Sequence, residues 1–177
     1  DKGKQYITLM ENSTNQMLNL VNQILDFRKI ENKKMRLHIS PISLDDIIKS
    51  FYEEFLVLAN ESNINYHYVL LSENMVVWAD KEKLETVIRN ILSNAFKFTP
   101  VGGSVLITAG ADDVKQQFFI NVQDSGVGIP SGEIDKIFER FSQGNNTQNI
   151  GYPGTGIGLA LSRELIQLHH GDIKVES

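Results

Sequence analysis

Two amide side chains and one amine lie close together in one stretch of the chain. They belong to Asn90, Asn94 and Lys97, which are spaced four and three residues apart. At about 100° per residue of helix, these spacings bring the three side chains within roughly 60° of one another. Two amide oxygens and an ammonium group suit a hydrated magnesium ion and phosphate oxygens. The alternative is an ordinary solvated polar edge, because asparagine in mid-helix is only mildly unusual.

A glycine turn follows a predicted strand further along the chain. The even-numbered residues from Phe118 to Val122 are apolar, and Asp124 shares their parity, so it is expected to continue the buried face. A buried carboxylate needs a donor, and the exocyclic amine of adenine is one candidate. Gly126 and Gly128 would let the backbone approach a flat ring closely. An Asx turn that reverses the chain explains the same residues equally well.

A second glycine cluster opens the last predicted helix. It reads Gly154-Thr155-Gly156-Ile157-Gly158-Leu159 and follows a loop, residues 144–151, that is rich in Gly, Asn, Gln and Thr. Free N–H groups at a helix start favour anions, and such a loop is typical of a lid over phosphates. A dinucleotide-binding fingerprint would instead follow a strand. Helix capping beside a flexible loop is the alternative.

Between the two glycine clusters lies an aromatic segment with one basic residue. Phe138 and Phe141 are expected to anchor the base of the loop by packing. Arg140 could reach a phosphate, or it could be an ordinary surface arginine.

These segments need elements to position them, and the periodicity of apolar residues predicts a long helix followed by an α/β unit. The helix covers residues 4–32, with a heptad-like seam, and ends in a polar hinge. The elements predicted after it are strand 35–39, helix 43–62, hairpin strands 64–71 and 75–78, helix 80–98, strands 104–108 and 117–123, a short helix, helix 157–169 and a final strand from residue 172. Strands in adjacent pairs separated by helices favour an α+β fold with a mixed, mainly antiparallel sheet and helices on one face.

Composition narrows the class of protein. The 177 residues are 41% hydrophobic and include no cysteine, which allows a real core and excludes disulfides and zinc–thiolate sites. The net charge is -5 and no run of Lys or Arg stands out, so a nucleic-acid partner is not expected. No apolar run approaches the roughly 20 residues that span a bilayer.

The order and spacing of these segments resemble one known family. Asn90-x-x-x-Asn94-x-x-Lys97, Asp124-x-Gly-x-Gly, Phe138-x-x-Phe141 and Gly154-x-Gly-x-Gly-Leu159 are similar to the N, G1, F and G2 boxes of sensor histidine kinases. Their catalytic domain belongs to the superfamily shared with gyrase, Hsp90 and MutL. The resemblance covers residues 35–177 and implies a Bergerat-type two-layer α/β sandwich. Residues 1–34 resemble the second helix of the kinase dimerisation hairpin, and residues 20–31 look like hybrid sensors of gut Bacteroidetes.

The resemblance also implies a role for each matched residue. Magnesium and ATP are the expected cofactors, with Asn94 and Asn90 at the metal and Lys97 at the phosphates. The remaining expected nucleotide-binding residues are Phe98 flanking the nucleotide, Asp124 on the adenine amine, Gly126 and Gly128 in that pocket, and Gly154, Thr155, Gly156, Gly158 and Leu159 at the phosphates and lid.

The implied activity is transfer of the ATP γ-phosphate to a histidine. The family carries that histidine on the first hairpin helix, before Glu or Asp, Arg and Pro, and this sequence has no such segment. His169 and His170 stand at a predicted helix end, where capping is expected. The acceptor helix is therefore expected outside this chain, which would also end one strand before the usual end of the domain.

Further partners follow from the same resemblance. The expected partners are a receiver domain or response regulator and a second copy of this protein joined through the helical hairpin. The ATP-binding domain would lie on the cytoplasmic side of a membrane-anchored sensor. Hydrolytic relatives carry Glu at the position of Asn90, and an amide cannot act as a general base, so a gyrase- or Hsp90-type ATPase is disfavoured. An ATP-binding regulatory or phosphatase-supporting module stays open.

Overall fold

A computed structural model describes residues 2–112, 114–142 and 156–177. Its elements are helix α1 (Lys2–Glu31), strand β1 (Ser40–Ser43), helix α2 (Leu44–Glu61), strands β2 (Asn65–Leu70) and β3 (Val76–Ala79), helix α3 (Lys81–Phe98), strands β4 (Ser104–Asp112) and β5 (Gln117–Asp124), a 3-10 turn (Ile134–Lys136) and helix α4 (Gly158–Leu168). The predicted helices are confirmed, and so is the α+β class.

Capping residues set where α2 and α3 begin. The Ser43 hydroxyl accepts a hydrogen bond from the Asp46 N–H at 3.2 Å, and the Asp80 carboxylate accepts one from the Lys83 N–H at 3.1 Å. Each bond satisfies a backbone donor that the first helical turn leaves unpaired.

The strands differ from the sequence prediction in three ways: in one pairing, in the position of one strand and in the absence of a final strand from the described residues. The strands around Val69 and Val77 form no hairpin, because β2 pairs in parallel with β4 while β3 pairs antiparallel with β1. The strand predicted at residues 35–39 lies later, at Ser40–Ser43, and includes Pro41. Proline is tolerated there because this two-stranded sheet consists only of edge strands. No strand forms at residues 172–176, since no described segment pairs with them.

The resulting architecture is mixed, as the sequence predicts. One sheet has the order β1-β3 and the other β2-β4-β5, and β4 and β5 pair antiparallel. The inner face of the larger sheet carries Tyr66, Val105, Ile107 and Ala109, all buried against α2 and α3. The Tyr66 ring meets the Phe96 ring edge to face, with 5.0 Å between centroids.

A second, smaller core joins α1 to α3 and α4. Phe27 of α1 is buried, and it packs in one cluster with Val87, Ile157, Leu161 and Leu165. The apolar seam of α1 lies in solvent instead, with Met10 69% and Met17 68% exposed. In the described part of the chain, no helix is both long and apolar enough to cross a bilayer.

Candidate nucleotide-binding site

Helix α3 is the element that positions most of the predicted site residues, and Asp80 fixes its start. The Asp80 carboxylate is buried and accepts hydrogen bonds from the N–H groups of His38 at 2.8 Å and Lys83 at 3.1 Å. Burial alone would raise the pKa of Asp80, but these two N–H donors and the Lys83 charge hold that pKa below its usual value.

His169, at the end of α4, is hydrogen-bonded to the backbone of Asp80. Its Nε2 accepts a hydrogen bond from the Asp80 N–H at 3.0 Å, while its Nδ1 lies 2.8 Å from the Leu165 carbonyl oxygen. These partners require a neutral ring with the proton on Nδ1. The predicted capping role of His169 is confirmed. The cross-link to Asp80 has no local sequence signal, because it joins residues that are 89 positions apart.

Asn90 is half-buried and faces α4. Its Nδ2 donates hydrogen bonds to the Gly158 carbonyl oxygen at 3.1 Å and to the Ser162 hydroxyl at 3.2 Å. A Cβ on Gly158 would lie 3.4 Å from the Asn90 Cγ, an ordinary van der Waals distance, so the amide packs against the first turn of α4. Ser162 is fully buried, and sequence reasoning missed it because a lone serine in a helix carries no functional signal.

Asn94, Lys97 and Phe98 follow on the same helix, and all three are half-buried. The Lys97 ammonium lies 5.1 Å from the centroid of the Phe98 ring, and burial lowers the pKa of that amine. No carboxylate in the described ranges forms an ion pair with Lys97, and the Asn94 amide makes no hydrogen bond there. A partly desolvated ammonium next to a free amide suits an anionic ligand.

The turn after β5 lies at the carboxyl end of α3. The Asp124 Oδ1 accepts a hydrogen bond from the Gly126 N–H at 2.8 Å, and the Val127 N–H donates to the Phe98 carbonyl oxygen at 3.4 Å. A Cβ on Gly126 would lie 2.6 Å from Asp124 Oδ1 and 2.7 Å from the Phe98 oxygen. Gly128 has a φ of +71°, which favours glycine.

The expected burial of Asp124 is wrong. Its carboxylate is exposed, because β5 ends at this residue and no element in the described part of the chain covers the strand end. The Asx turn that sequence reasoning held as an alternative does form. It occupies one carboxylate oxygen with the Gly126 N–H and leaves the group accessible to a ligand.

The second glycine cluster is only partly described. Gly154, Thr155 and the predicted lid, residues 144–151, lie outside the described residues. Gly156 has a φ of +67°, and its carbonyl oxygen accepts a hydrogen bond from the Phe141 N–H at 2.9 Å. Leu159 is half-buried in the first turn of α4.

Among the described residues, Arg140 contacts α1 rather than the other predicted site residues. Its guanidinium forms an ion pair with Glu31 and lies 4.3 Å from the centroid of the Phe27 ring. The hydrogen bond and charge of Arg140 lower the pKa of Glu31. A phosphate contact of Arg140 stays a prediction.

Phe138 is half-buried with Arg163 over its ring, but Phe141 is 70% exposed, so its side chain does not anchor the segment as expected.

The structure thus gathers three of the four motifs around α3. The middle of α3 contacts the start of α4 through Asn90, and its end contacts the glycine turn through Phe98. A polar notch of about 260 Å³ beside Asn60 and Asn63 contains none of the predicted site residues.

Comparison with known proteins gives consistent relatives. Residues 79–177 match the family described as histidine kinase-, DNA gyrase B- and HSP90-like ATPases. Histidine kinase P4 of Formosa agariphila is 35% identical over 99% of this chain and 13% of its own length. Sensor histidine kinase WalK of Bacillus subtilis is 29% identical over 100% of this chain and 29% of its own length. The chain therefore spans less than a third of either relative.

Solved structures agree in fold. Full-length ShkA in complex with AMPPNP superimposes with a TM-score of 0.79 at 28% identity, covering 95% of this chain and 34% of that one. The nucleotide-free catalytic domain of histidine kinase ThkA gives a TM-score of 0.65 at 26% identity, covering 74% of this chain and 81% of that one.

Proposed function

Because this chain belongs to the histidine kinase-, DNA gyrase B- and HSP90-like ATPases, we propose that it binds Mg-ATP and donates the γ-phosphate to a histidine outside this chain. One observation carries the proposal. Lys97 is half-buried and has no carboxylate partner in the described ranges. Its helix contacts the glycine turn through Phe98 and the start of α4 through Asn90. An ammonium group in that environment is stabilised by phosphate oxygens.

Each end of the nucleotide has a residue of matching chemistry. The exposed carboxylate of Asp124 would accept a hydrogen bond from the adenine amine, and Gly126 and Gly128 would let the ring approach the backbone. Phe98 would flank the nucleotide. Gly154, Thr155, Gly156, Gly158 and Leu159 would line the phosphates. Arg140 would reach a phosphate only after leaving Glu31.

The oxygen atoms left free in the site fit magnesium. The Asn94 amide makes no hydrogen bond in the described ranges. The Asn90 nitrogen donates to α4, and the Asn90 oxygen has no hydrogen-bond partner in the same ranges. Magnesium prefers such hard oxygen ligands and keeps several waters. The ion would neutralise charge on the phosphates when bound. Lys97 would add a fixed positive charge beside them, and positioning with charge neutralisation dominates this kind of transfer.

Asn90 also argues for transfer over hydrolysis. An amide cannot remove a proton from water, and its nitrogen is held by α4. We therefore propose that the acceptor is an imidazole brought to the site from another segment or chain. A response regulator or receiver domain would take the phosphate next.

The exposed seam of α1 supports a dimeric arrangement. Ile7, Met10, Met17, Val21 and Ile24 are each 47% or more exposed and recur at helical spacing. We propose that residues 1–34 form half of a hairpin that packs with a second copy, and that residues 35–177 form the ATP-binding unit. The full protein would be a membrane-anchored sensor with this domain on the cytoplasmic side.

Titration of this chain with a fluorescent ATP analogue tests the binding step. Asp124→Ala is expected to weaken affinity at least tenfold, since it removes a hydrogen bond to adenine (about 1.4 kcal/mol per tenfold). Asp112→Ala is the matched control, because Asp112 is an acidic residue on the neighbouring strand that pairs with Lys115. Equal affinity in Asp124→Ala and the parent would refute the adenine role.

Radiolabelled ATP tests the transfer step. A longer form of the protein, with a histidine-bearing helix before α1, is expected to acquire acid-labile label. The Lys97→Met variant should lose that label while remaining folded. Tight ATP binding without any label on histidine would overturn the kinase proposal and favour a regulatory module.

A further inference from the structure

Ser162 on α4 and Asn90 on α3 form a closed hydrogen-bond triangle with the Gly158 carbonyl oxygen. The Ser162 hydroxyl donates to that oxygen at 2.9 Å, and the Asn90 Nδ2 donates to the same oxygen at 3.1 Å and to the Ser162 hydroxyl at 3.2 Å. Ser162 is fully buried and Asn90 is half-buried. The triangle therefore lies at the α3–α4 contact, away from bulk water.

The triangle fixes which end of the Asn90 amide faces α4. A carbonyl oxygen can only accept, so the group that meets Gly158 must be the NH₂ end of the amide. The Ser162 hydroxyl already gives its proton to the Gly158 oxygen, as serine commonly does toward the carbonyl four residues earlier. Its lone pairs are left to accept from the Asn90 Nδ2. The NH₂ end of the amide is thus bound to α4, and the amide oxygen has no hydrogen-bond partner among the described residues.

The rotated amide is disfavoured by the same atoms. Turning it by 180° would set the Asn90 oxygen against the Gly158 carbonyl oxygen, two acceptors with no proton between them. The amide also lies against Gly158, where a Cβ would be 3.4 to 3.7 Å from its Cγ, Oδ1 and Nδ2 atoms.

We infer that Ser162 is a positioning residue for Asn90, holding its amide so that the oxygen is presented to the magnesium and phosphates of bound ATP. The inference rests on the proposed function of the site. It gives Ser162 a part in cation binding without contact to the cation. It also gives the Gly158 carbonyl oxygen a part in holding the Asn90 amide.

Nuclear magnetic resonance of the nucleotide-free protein reads the orientation directly. The Asn90 side-chain NH₂ signal, assigned by its loss in Asn90→Ala, should exchange with water more slowly than that of the exposed Asn60. In Ser162→Ala the exchange should accelerate about 2- to 12-fold, the effect of losing one ordinary hydrogen bond. Ser93→Ala, an exposed serine on α3, should change nothing. An Asn90 signal that exchanges as fast as that of Asn60 would overturn the inference.

The magnesium dependence of ATP affinity measures whether losing the Ser162 hydroxyl weakens magnesium binding. The ratio of affinities with and without Mg²⁺ should fall about 2- to 12-fold in Ser162→Ala, while affinity for adenosine stays that of the parent. In an Asn90→Ala background, Ser162→Ala should have no further effect on this ratio, because the serine acts through the amide.

The outcomes separate the inference from the proposed function. A parent protein that does not bind Mg-ATP refutes the function. A parent that binds normally, with an unchanged magnesium ratio in Ser162→Ala, refutes the positioning role alone. Equal loss of adenosine and Mg-ATP affinity in Ser162→Ala would also refute it, because that pattern reports general damage to the fold.

Discussion

Replacing Asp80 by alanine should lower the stability of the fold, because Asp80 caps α3, the helix that carries most of the predicted site residues. The Asp80 carboxylate uses both oxygens: Oδ1 accepts from the Lys83 N–H at 3.1 Å, and Oδ2 accepts from the His38 N–H at 2.8 Å. The first bond caps α3. The second holds the segment that leads from α1 into the α/β unit. Asp80→Ala removes both bonds at once, while the Asp80 N–H can still donate to His169.

The expected loss of stability follows from these two contacts. Replacing an aspartate N-cap with alanine costs about 0.5–2 kcal/mol. The bond to His38 adds about 0.5–1.5 kcal/mol, at the ordinary rather than the fully buried value because His38 is exposed. The free energy of unfolding should therefore fall by about 1–3.5 kcal/mol. Asp80→Asn should lose about half as much, because its single acceptor oxygen can keep the cap but its NH₂ group would oppose the His38 N–H.

The pH dependence has a definite sign. The folded pKa of Asp80 lies below the unfolded value of 3.8, so its contribution is present above pH 3.8 and is lost as the pH falls through the folded pKa. The difference in stability between the parent and Asp80→Ala should be constant above about pH 5. It should shrink as the pH falls below 3.8.

Urea denaturation followed by circular dichroism measures these differences, provided that the m-value is unchanged. Asp46→Ala is the matched control, since Asp46 is an exposed acidic residue in the first turn of α2, and it should cost less than about 0.5 kcal/mol. If Asp80→Ala were no worse than Asp46→Ala, the account of Asp80 as the junction of α3 and the linker would be incorrect.

Three further predictions concern the glycine turn and the contact with α1. Gly126→Ala should abolish binding of a fluorescent ATP analogue in a folded protein, because its Cβ would lie 2.7 Å from the Phe98 carbonyl oxygen; unchanged affinity would contradict the geometry. Phe27→Ala should lower the free energy of unfolding by about 3 kcal/mol and speed amide exchange in α1, since it removes the buried anchor of that helix; an unchanged urea midpoint would refute this. Glu31→Gln should shift the Arg140 side-chain resonance at pH 7. The parent should reach that shift only as the pH falls through the Glu31 pKa, which lies below 4.5, and a parent resonance independent of pH would count against the pair.

Sequence alone predicted the elements whose signals are local. The stripe of Leu84, Val87, Ile88 and Leu92 repeats at helical spacing, and all four residues are buried in α3. Asp80 opens that helix as predicted, because a capping side chain bonds a backbone group only three residues away. Sequence alone also singled out Gly126 and Gly156, as residues of a nucleotide site, and that role stays a prediction. The structure adds that a Cβ would lie 2.6 Å from Asp124 Oδ1 at position 126 and 2.7 Å from the Phe141 backbone at position 156.

Tertiary structure decided everything that depends on partners distant in the chain. β2 pairs with β4 rather than with its neighbour β3, and Asp124 is exposed although its parity predicted burial. Asn90 meets Ser162 across 72 residues, and Arg140 meets Glu31 across 109. A polar side chain has several chemically equivalent partners in any sequence. Which one it meets depends on how the helices and sheets pack over the whole core, and residue type and spacing do not encode that choice locally.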